Sequence, residues 1–412
     1  MTGANMMPER LEVAIAGGGI AGLTAALTFR KAGFKVTILE QAVAFAPVGA
    51  GILLQANGLM VLDVLGLGEL VRAHGTAMPR LLLRDRLGRC LVATELHAHL
   101  PPRYWPVCIH RAHLHDILWQ ACASAGVTTH FGCKVKAVDT KAGMPALVCE
   151  TIDGIMTISG DLIVGADGVR SAVREAVGIP THLWPIVEGS VQGVVPHSVQ
   201  AACHGEYLMG AEACGMLPMA QDSTFWFWGG SSQTAAGVAT REFANWKNDV
   251  CRRFPPMHVV LSKYNSWADI VLLQHRSVRC DAWSSGKVVL IGDAAHAMSP
   301  NLGQGANCAL VDALALAGHI AAGNQDGDIA GALASFEKDR RPLVDRLQER
   351  GHSEGASVQG RWLGSEAIVN LAVRLTRFAS FSRQRADILA MSGLDGNGFD
   401  LTAAGIRAPV PW

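Results

Sequence analysis

A glycine-rich turn near the N-terminus is the feature that most constrains the fold of this chain. Residues 11–16, LEVAIA, predict a short buried strand, and GGGIAG follows at 17–22. The next stretch, LTAALTFRKAG, has apolar residues at helical spacing, and KVTILE then predicts a second strand that ends in Glu40. A strand, a glycine turn, a helix and a second strand within about thirty residues make a parallel βαβ unit.

The glycines of this turn have the positions that a dinucleotide requires. Gly17 permits the tight turn, Gly19 lets a pyrophosphate approach the backbone, and Gly22 lets the helix pack closely on the strand. The helix N-terminus presents free N–H groups to phosphates, and Glu40 can accept hydrogen bonds from ribose hydroxyls. The unit therefore predicts a dinucleotide site, and at this point FAD and NAD fit equally well.

Two later stretches repeat the step from a strand through a glycine turn to a helix. In LIVGADGVRSAVREAVG, Asp167 stands at the turn, and Arg170 and Arg174 follow four residues apart. In VVLIGDAAHAMSPNLGQGAN, an apolar run ends abruptly at Asp293. Between the first and second turns, residues Cys108 to Gly126 predict a helix with Arg111 near its start, where a cation is unfavourable unless an anion lies nearby.

The segment from about 180 to 280 has a different pattern, with strands of mixed periodicity and no glycine-turn-helix units. Its densest aromatic run is TFWFWGG. In a strand, Phe225 and Phe227 share one face while Trp226 and Trp228 share the other, so we expect one pair to face a substrate. We predict a separate sheet inserted into the nucleotide-binding domain.

The bulk composition excludes several kinds of partner. The chain has 412 residues, with 35 basic and 35 acidic side chains. Its formal net charge is therefore zero, which gives no electrostatic reason to expect binding to nucleic acid. None of the ten cysteines forms a CxxC pair, which predicts reduced thiols, no metal site and a cytoplasmic protein. The first residues, MTGANMMPER, hold no apolar leader, and no uncharged run of about 18 residues predicts an integral membrane segment.

Taken together, the three glycine-rich junctions resemble those of the single-component FAD-dependent aromatic hydroxylases, the group A flavoprotein monooxygenases of the para-hydroxybenzoate and salicylate hydroxylase type. GGGIAG with its acidic residue, GADGVRSAVR and GDAAHAMSPNLGQGAN stand in that family's order, and the resemblance covers most of residues 11 to 355. It implies non-covalent FAD held by Gly17, Gly19, Ile20, Ala21, Gly22, Glu40, Gln41, Gly51, Arg111, Val135, Asp167, Asp293, Pro300, Gly303, Gly305, Ala306 and Asn307.

The resemblance also implies a reaction. NADH or NADPH, bound transiently near Arg170 and Arg174, would reduce the flavin, and O₂ would form a C4a-hydroperoxide that hydroxylates a small aromatic or heteroaromatic ring. The catalytic candidates are Pro300, His197 and Gln192, and the substrate-binding candidates are Phe225, Phe227 and Gln192. The base is left open among His197, His204, Tyr207 and His275, whereas His296 is expected to be structural.

Two positions depart from the family pattern. Ala56 stands where proline is frequent, and Gln192 stands where many members carry an arginine. Because an arginine would pair with a substrate carboxylate, its replacement by glutamine favours a neutral phenolic, quinolone-like or other heteroaromatic substrate over a simple benzoate.

We therefore predict an α/β fold: a Rossmann-like FAD-binding domain with an inserted mixed β-sheet substrate domain and a C-terminal helical segment. The predicted boundaries are 1–179 and 281–355 for the FAD-binding domain, 180–280 for the substrate sheet, and 356–412 for the C-terminal segment. A charged amphipathic helix at 331–355 should be kinked or split at Pro342.

Other functions remain as alternatives. A flavin halogenase shares the FAD fold, but FWFWGG lacks the Ile-Pro of its WxWxIP signature. A disulfide-type flavin reductase needs a paired redox cysteine motif that the sequence does not have. An FAD-dependent epoxidase or another flavin oxidoreductase acting on a secondary metabolite, and a non-catalytic FAD-binding protein, also fit the motifs. The oligomeric state is left open.

Overall fold

The computed structural model describes residues 11–358 except 46–49, 99, 142, 198, 210–211, 221, 232–237, 239–240 and 324–326, together with two short strands further on. The strands are β1 (Glu12–Ala16), β2 (Lys35–Leu39), β3 (Gly51–Leu54), β4 (Gly75–Ala77), β5 (Arg80–Asp85), β6 (Cys90–Glu95), β7 (Val107–His110), β8 (Thr128–His130), β9 (Lys134–Asp139), β10 (Ala146–Thr151), β11 (Gly154–Ser159), β12 (Leu162–Gly165), β13 (Thr181–Val195), β14 (Gly205–Met209), β15 (Glu212–Met219), β16 (Ser223–Ser231), β17 (Val271–Cys280), β18 (Ser284–Ser285), β19 (Val288–Leu290), β20 (Leu394–Asp395) and β21 (Gly398–Phe399).

The helices alternate with these strands in the cofactor-binding part and cluster elsewhere. They are α1 (Ile20–Lys31), α2 (Ala56–Val64), α3 (Gly68–His74), α4 (Arg111–Ser124), α5 (Ala172–Ala176), α6 (Phe243–Arg253), α7 (His258–Leu261), α8 (Asp293–His296), α9 (Gly305–Gly323) and α10 (Ile329–Val358). The predicted helix after Cys108 begins at Arg111, with Leu114, Ile117 and Leu118 buried as its periodicity indicates.

A six-stranded sheet carries the predicted dinucleotide unit, in the order β18-β19-β12-β1-β2-β8. Its strands are parallel except for β18. The carboxyl ends of β1, β12 and β19 therefore lie side by side, and all three predicted glycine turns leave the sheet at this edge. β12 pairs with β1 and the late strand β19 pairs with β12, which is why one site can draw on both ends of the sequence.

Helix α9 is the central helix of the hydrophobic core. It lies against α1, where the Thr28 hydroxyl donates to the Ala313 carbonyl at 3.2 Å. It is long and apolar enough to cross a membrane by length and composition, but 78% of its most apolar window is buried inside the protein. Core burial accounts for this apolar character.

A seven-stranded mixed sheet forms the second part, in the order β17-β13-β16-β15-β14-β5-β6. Its strand pairs are antiparallel except for β14 with β5. The inserted sheet predicted over 180–280 therefore also contains residues 80–95, which the sequence had placed with the cofactor-binding domain. Pairing between strands so distant along the chain leaves no local signal in the sequence.

One face of this sheet is sealed by α6, α7 and the turns around them. Trp226, Trp228 and Trp246 are fully buried there, together with Phe254 and Leu261. The opposite face is turned toward the six-stranded sheet. Smaller three-stranded antiparallel sheets, β11-β10-β9 and β3-β7-β4, complete the cofactor-binding part.

The long helix α10 contains Pro342, where the sequence predicts a kink or a split. It runs continuously through Pro342 from Ile329 to Val358, so the proline does not split it. The predicted C-terminal segment, 356–412, lies almost wholly outside the described residues.

Candidate cofactor and substrate site

A cavity of about 980 Å³ lies between the two large sheets. One wall comes from the glycine turns of the cofactor-binding part and the other from the free face of the seven-stranded sheet. Of the residues predicted to bind FAD or substrate, those that line it are Gly19, Ile20, Ala21, Gly51, Arg111, Gln192, Phe225, Phe227, Asp293, Pro300, Gly303, Gly305 and Ala306.

The N-terminal glycine turn has the shape that its sequence predicts. Gly17 has φ +100°, and a Cβ there would lie 2.5 Å from the Ala166 carbonyl oxygen. A Cβ at Gly22 would collide with the Gly17 carbonyl, so the helix can approach only because this residue has no side chain. In front of Gly19 there is open space, and a Cβ there would meet nothing within 4 Å. The turn therefore leaves a cradle beside a helix N-terminus, which suits a phosphate.

Glu40 fixes this turn as well as facing the nucleotide end. Its carboxylate accepts hydrogen bonds from the backbone N–H groups of Gly18 at 2.7 Å and Ala42 at 2.8 Å. Each oxygen keeps a lone pair for a ribose hydroxyl. Gln41 is exposed beside it, and the Cys133 N–H donates to the Glu40 carbonyl at 2.9 Å. The strand that carries Val135 therefore begins next to Glu40, while the Val135 side chain itself is buried in the core.

His115 is a contributor that sequence reasoning missed. One of its ring nitrogens lies 2.8 Å from the Gly18 carbonyl, and its ring packs on Phe45. It comes from α4, the helix that begins with Arg111. A lone histidine in a helix pattern gives no sign that it will reach a turn almost a hundred residues away.

Asp293 is presented to the cavity by an unusual backbone. Gly292 has φ 58° and ψ −140°, a conformation that only glycine adopts readily. The carboxylate that follows is exposed and lines the cavity. The apolar strand β19 ends at a glycine and an aspartate because this turn places the Asp293 carboxylate in the cavity.

A buried charge network holds this turn from behind. Asp312 of α9 lies 2.5 Å from a ring nitrogen of His296 and 3.1 Å from the guanidinium of Arg340, and it accepts from the Gly292 N–H at 3.3 Å. Burial raises the pKa of Asp312, but His296 and Arg340 outweigh it and hold that pKa below its ordinary value. His296 is thus a structural residue, as expected.

The loop from Pro300 to Ala306 forms the floor of the cavity, and Asn307 braces it. The Asn307 amide accepts from the Gln55 N–H at 2.9 Å and donates to the Leu53 and Gly303 carbonyls. The Gln55 side chain, which the sequence did not single out, donates to the Leu302 carbonyl at 2.7 Å. The side-chain amide of Asn307 is therefore occupied by backbone groups, and the cofactor contact of this residue stays a prediction.

The middle glycine turn also differs from expectation. The Asp167 carboxylate accepts from the Ser171 hydroxyl at 2.5 Å and from the Val173 N–H at 3.1 Å, so it caps α5 instead of facing the cavity. Burial raises its pKa. Arg174 is buried and donates to the Ala294 and Val169 carbonyls, which ties this turn to that of Asp293. Arg174 is consequently unsuited to bind a nicotinamide donor, whereas Arg170 is exposed.

On β13 and β16, residues that line the cavity alternate with residues that do not. The paired positions Gln192 and Phe227 face the cavity, and so do Phe225 and Leu217. Trp226 and Trp228 point to the opposite side, where they are fully buried. The predicted division of TFWFWGG into two faces is confirmed, and the phenylalanine pair is the one beside the cavity.

Phe225 also packs where the seven-stranded sheet meets the cofactor-binding part. A Cβ at Gly51 would collide with the Phe225 ring, so this glycine lets the sheet approach the cofactor-binding part. Arg111, at the start of α4, lines the cavity near this joint and is exposed. Its backbone N–H donates to the Ala50 carbonyl at 2.9 Å.

Three polar side chains form a chain on the sheet face. The Gln192 amide donates to the Ser190 hydroxyl oxygen at 3.2 Å, and that oxygen lies 2.8 Å from a ring nitrogen of His275. Burial lowers the pKa of His275 to about 4, so the imidazole is neutral at pH 7. All three residues line the cavity.

The other base candidates fare differently. His197 follows the end of β13 and does not line the cavity, so its predicted catalytic role is not supported by its position. Tyr207 does not line the cavity, although its neighbours Glu206 and Leu208 on β14 do. Its hydroxyl donates to the Cys203 carbonyl, and burial raises its pKa to about 12. His204 does line the cavity, and burial lowers its pKa.

The fold and the site together define a class: an α/β dinucleotide-binding protein whose nucleotide cradle opens into a cavity with aromatic walls. The chain matches the model of the FAD binding domain family over residues 10–351, most of its length, and it therefore belongs to this family. It binds FAD, and the open cradle at Gly19 and the exposed Asp293 suit the phosphates and hydroxyls of that cofactor.

Known relatives agree with this class. The chain is 33% identical over 373 residues to 3-amino-4-hydroxybenzoate 2-monooxygenase of Streptomyces platensis, covering 84% of this chain and 88% of that protein. It is 31% identical over 341 residues to aurachin C monooxygenase/isomerase of Stigmatella aurantiaca, with 80% and 85% covered. The tetrameric form of 2-methyl-3-hydroxypyridine-5-carboxylic acid oxygenase superposes with a TM-score of 0.74 at 26% identity, covering 86% and 94%. The chain is thus an FAD-dependent monooxygenase of the aromatic hydroxylase family.

Proposed function

We propose that this monooxygenase uses NADH or NADPH to hydroxylate a neutral phenolic or heteroaromatic small molecule. The observation that carries the proposal is the single cavity, which joins the nucleotide cradle at Gly19 to the aromatic and polar face formed by Phe225, Phe227 and Gln192. FAD, when bound, supplies the activation of O₂ and its transfer to the ring. The residues of the chain bind the ring, orient it and keep water out.

The charges around the cavity support a neutral substrate. Two arginines line it among the described residues. Arg80 is engaged in an ion pair with Glu95 at 2.5 Å, and Arg111 stands at the cofactor end, at the start of α4. On β13, which pairs with the phenylalanine strand, and on β17 beside it, the polar side chains that line the cavity are Gln192, Ser190 and His275, all uncharged at pH 7. An amide and a hydroxyl can orient a phenol or a ring N–H, but they do not neutralise a carboxylate.

His275 is suited to take the proton that the substrate must lose. A neutral imidazole can accept a proton, and Ser190 connects its ring nitrogen to the cavity. The hydroxyl of a phenol becomes more acidic as oxygen adds to its ring, so even a weak base can receive this proton. Gln192 donates to Ser190 and fixes the orientation of the hydroxyl that carries it.

The reductant is proposed to bind transiently at the surface. The described residues form one dinucleotide unit, that of β1, α1 and β2. Arg170 is the exposed cation next to the middle glycine turn, and it is the candidate contact for the phosphates of the donor. We also propose a cytoplasmic location, which the absence of disulfides among its ten cysteines supports.

The test is a panel of neutral phenols, quinolones, other N-heteroaromatics and aromatic acids, assayed with NADH and with NADPH. We expect a neutral compound to stimulate oxidation of the nicotinamide and O₂ consumption, and to gain one oxygen atom by mass spectrometry. An aromatic acid as the best substrate would refute the neutral class while leaving the monooxygenase in place. If no compound stimulates oxidation and no hydroxylated product forms, the nicotinamide-dependent reaction is refuted.

A further inference from the structure

A second region of the cavity wall is aliphatic. The two-residue period that directs Phe225 and Phe227 into the cavity continues across the sheet. Leu208 on β14, Leu81 and Leu83 on β5, and Val92 on β6 occupy the same face, since Leu83 pairs with Val92 and β14 lies beside β5. Leu96 and Leu100, just beyond β6, also line the cavity. We refer to these six residues as the leucine wall.

Three residues of the leucine wall are buried without belonging to a core cluster, whereas Leu81 is half-buried and packs against the cluster that contains Phe225. Leu83, Leu96 and Leu208 are only 7%, 3% and 7% exposed. None of the three belongs to the apolar clusters that hold the two sheets and their helices together. Residues that line a cavity and yet have low exposed fractions lie in a narrow part of it. Their apolar side chains can therefore contact a slender ligand.

The leucine wall lies at a distance from the polar chain. Ser190 and Gln192 are on β13, Phe227 is on the next strand, and Leu208 is two strands beyond that. At the usual strand spacing, the leucine wall starts roughly 10 Å from the phenylalanine strand and reaches β6, roughly 24 Å from β13. A bare phenol covers only the first part of this face.

We propose that the substrate is a ring with an aliphatic tail, and that the leucine wall binds the tail while the ring lies over Phe225, Phe227 and Gln192. This deepens the proposed function and rests on it. Glu206 also lines the cavity, on the same strand as Leu208 and directly between Gly215 and Leu83, so it is a polar residue within this face and the tail passes on its Leu208 side. The tail is therefore a hydrocarbon that follows the leucine side of the cleft.

The test is direct binding of two ligand series to the FAD-loaded protein by calorimetry. The probes are 4-alkylphenols and 2-alkyl-4-quinolones with straight chains from methyl to nonyl. Each methylene that is buried should lower Kd roughly three- to fourfold. We expect this gain to continue along the chain and to stop where the cleft ends.

Variants locate the tail. Leu83→Trp and Leu208→Trp fill the cleft and should remove most of the gain from a long chain, raising its Kd at least tenfold, while the methyl compound binds within threefold of wild type. Leu183→Trp is the matched control, because Leu183 is 56% exposed on β13 and outside the cavity. Leu81→Asn, at a half-buried position, serves if the tryptophan variants lose FAD or unfold at lower temperature.

The outcomes separate this proposal from the proposed function. An affinity that is independent of chain length, or a chain-length gain that survives in both Leu83→Trp and Leu208→Trp, overturns the tail site. Chain-length-dependent binding that these variants remove supports the tail site even if no tested ring is hydroxylated. In that case it is the assigned reaction that fails.

Discussion

At the scale of single residues, Asp293 should account for a measurable part of FAD affinity. It is the carboxylate that the Gly292 backbone presents to the cavity, and it is exposed there. Losing one charge-assisted hydrogen bond to the cofactor costs about 1.5–3 kcal/mol. We expect Asp293→Ala to raise the Kd for FAD by about 10- to 100-fold, measured by fluorescence titration of the apoprotein. Asp116→Ala, at an exposed position on α4, is the control; equal Kd values would show that Asp293 does not touch FAD.

His275 makes a prediction about pH. Burial lowers its pKa to about 4 from an ordinary 6.5, so between these values the unfolded chain binds a proton that the folded protein refuses. Stability contributed by the neutral ring is therefore complete above pH 6.5 and is lost as the pH falls toward 4. At pH 5 the loss is about 2 kcal/mol. Between pH 7 and pH 5, the free energy of unfolding measured in urea should fall by about 2 kcal/mol less in His275→Gln than in wild type. The control is His258→Gln, at an exposed position, which should lose as much as wild type. Parallel losses in wild type and His275→Gln would contradict the buried neutral ring.

At the scale of one element, the two faces of β16 have different roles. One face packs in the core and stabilises the fold, and the other lines the cavity. Trp226 is fully buried and donates to the Tyr264 hydroxyl at 3.0 Å, so Trp226→Ala should lower the free energy of unfolding by about 3–5 kcal/mol. Phe227 lines the cavity and is half-buried. Phe227→Ala should keep FAD bound and remain folded but release more hydrogen peroxide per nicotinamide oxidised, because the ring of the substrate is held less firmly. Normal coupling in Phe227→Ala would remove this strand from the substrate wall.

At the scale of the whole molecule, FAD should hold together regions from both ends of the chain. The cradle at residues 17–22 follows β1 and the turn at Asp293 follows β19, with β12 between these two strands in one sheet, although more than half of the sequence separates the two turns. A ligand that binds only the folded protein at a hundred times its Kd stabilises it by about 2.7 kcal/mol. The purified protein should therefore be yellow, and removal of its non-covalent FAD should lower Tm in a way that added FAD reverses. A Tm independent of FAD would contradict a cofactor site built from both regions.

The sequence by itself determined the features that depend on short stretches of backbone. A glycine was required at 17 and at 292 because the turns there have positive φ, and such turns follow directly from the residues that form them. Alternation along β16 was equally local, so the division between Phe225 with Phe227 and Trp226 with Trp228 could be predicted before any partner strand was known. The three cofactor motifs are of this kind, and with them the sequence also predicted the family.

Only the tertiary structure decided which polar side chains are available for chemistry. Asp167, Arg174 and Asn307 carry the residue types of a binding site, but their side chains bond elsewhere: Asp167 to the helix that follows it, and Arg174 and Asn307 to backbone carbonyls of distant turns. His275 rather than His197 lies in the cavity, because the pairing of β17 with β13 sets it beside Ser190. The parallel pairing of β14 with β5 likewise brings the leucine wall onto the substrate sheet. Most of these contacts join residues that are far apart in the chain. The free energy of a buried hydrogen bond or of a strand register depends on both partners, so it cannot be predicted from either sequence segment alone.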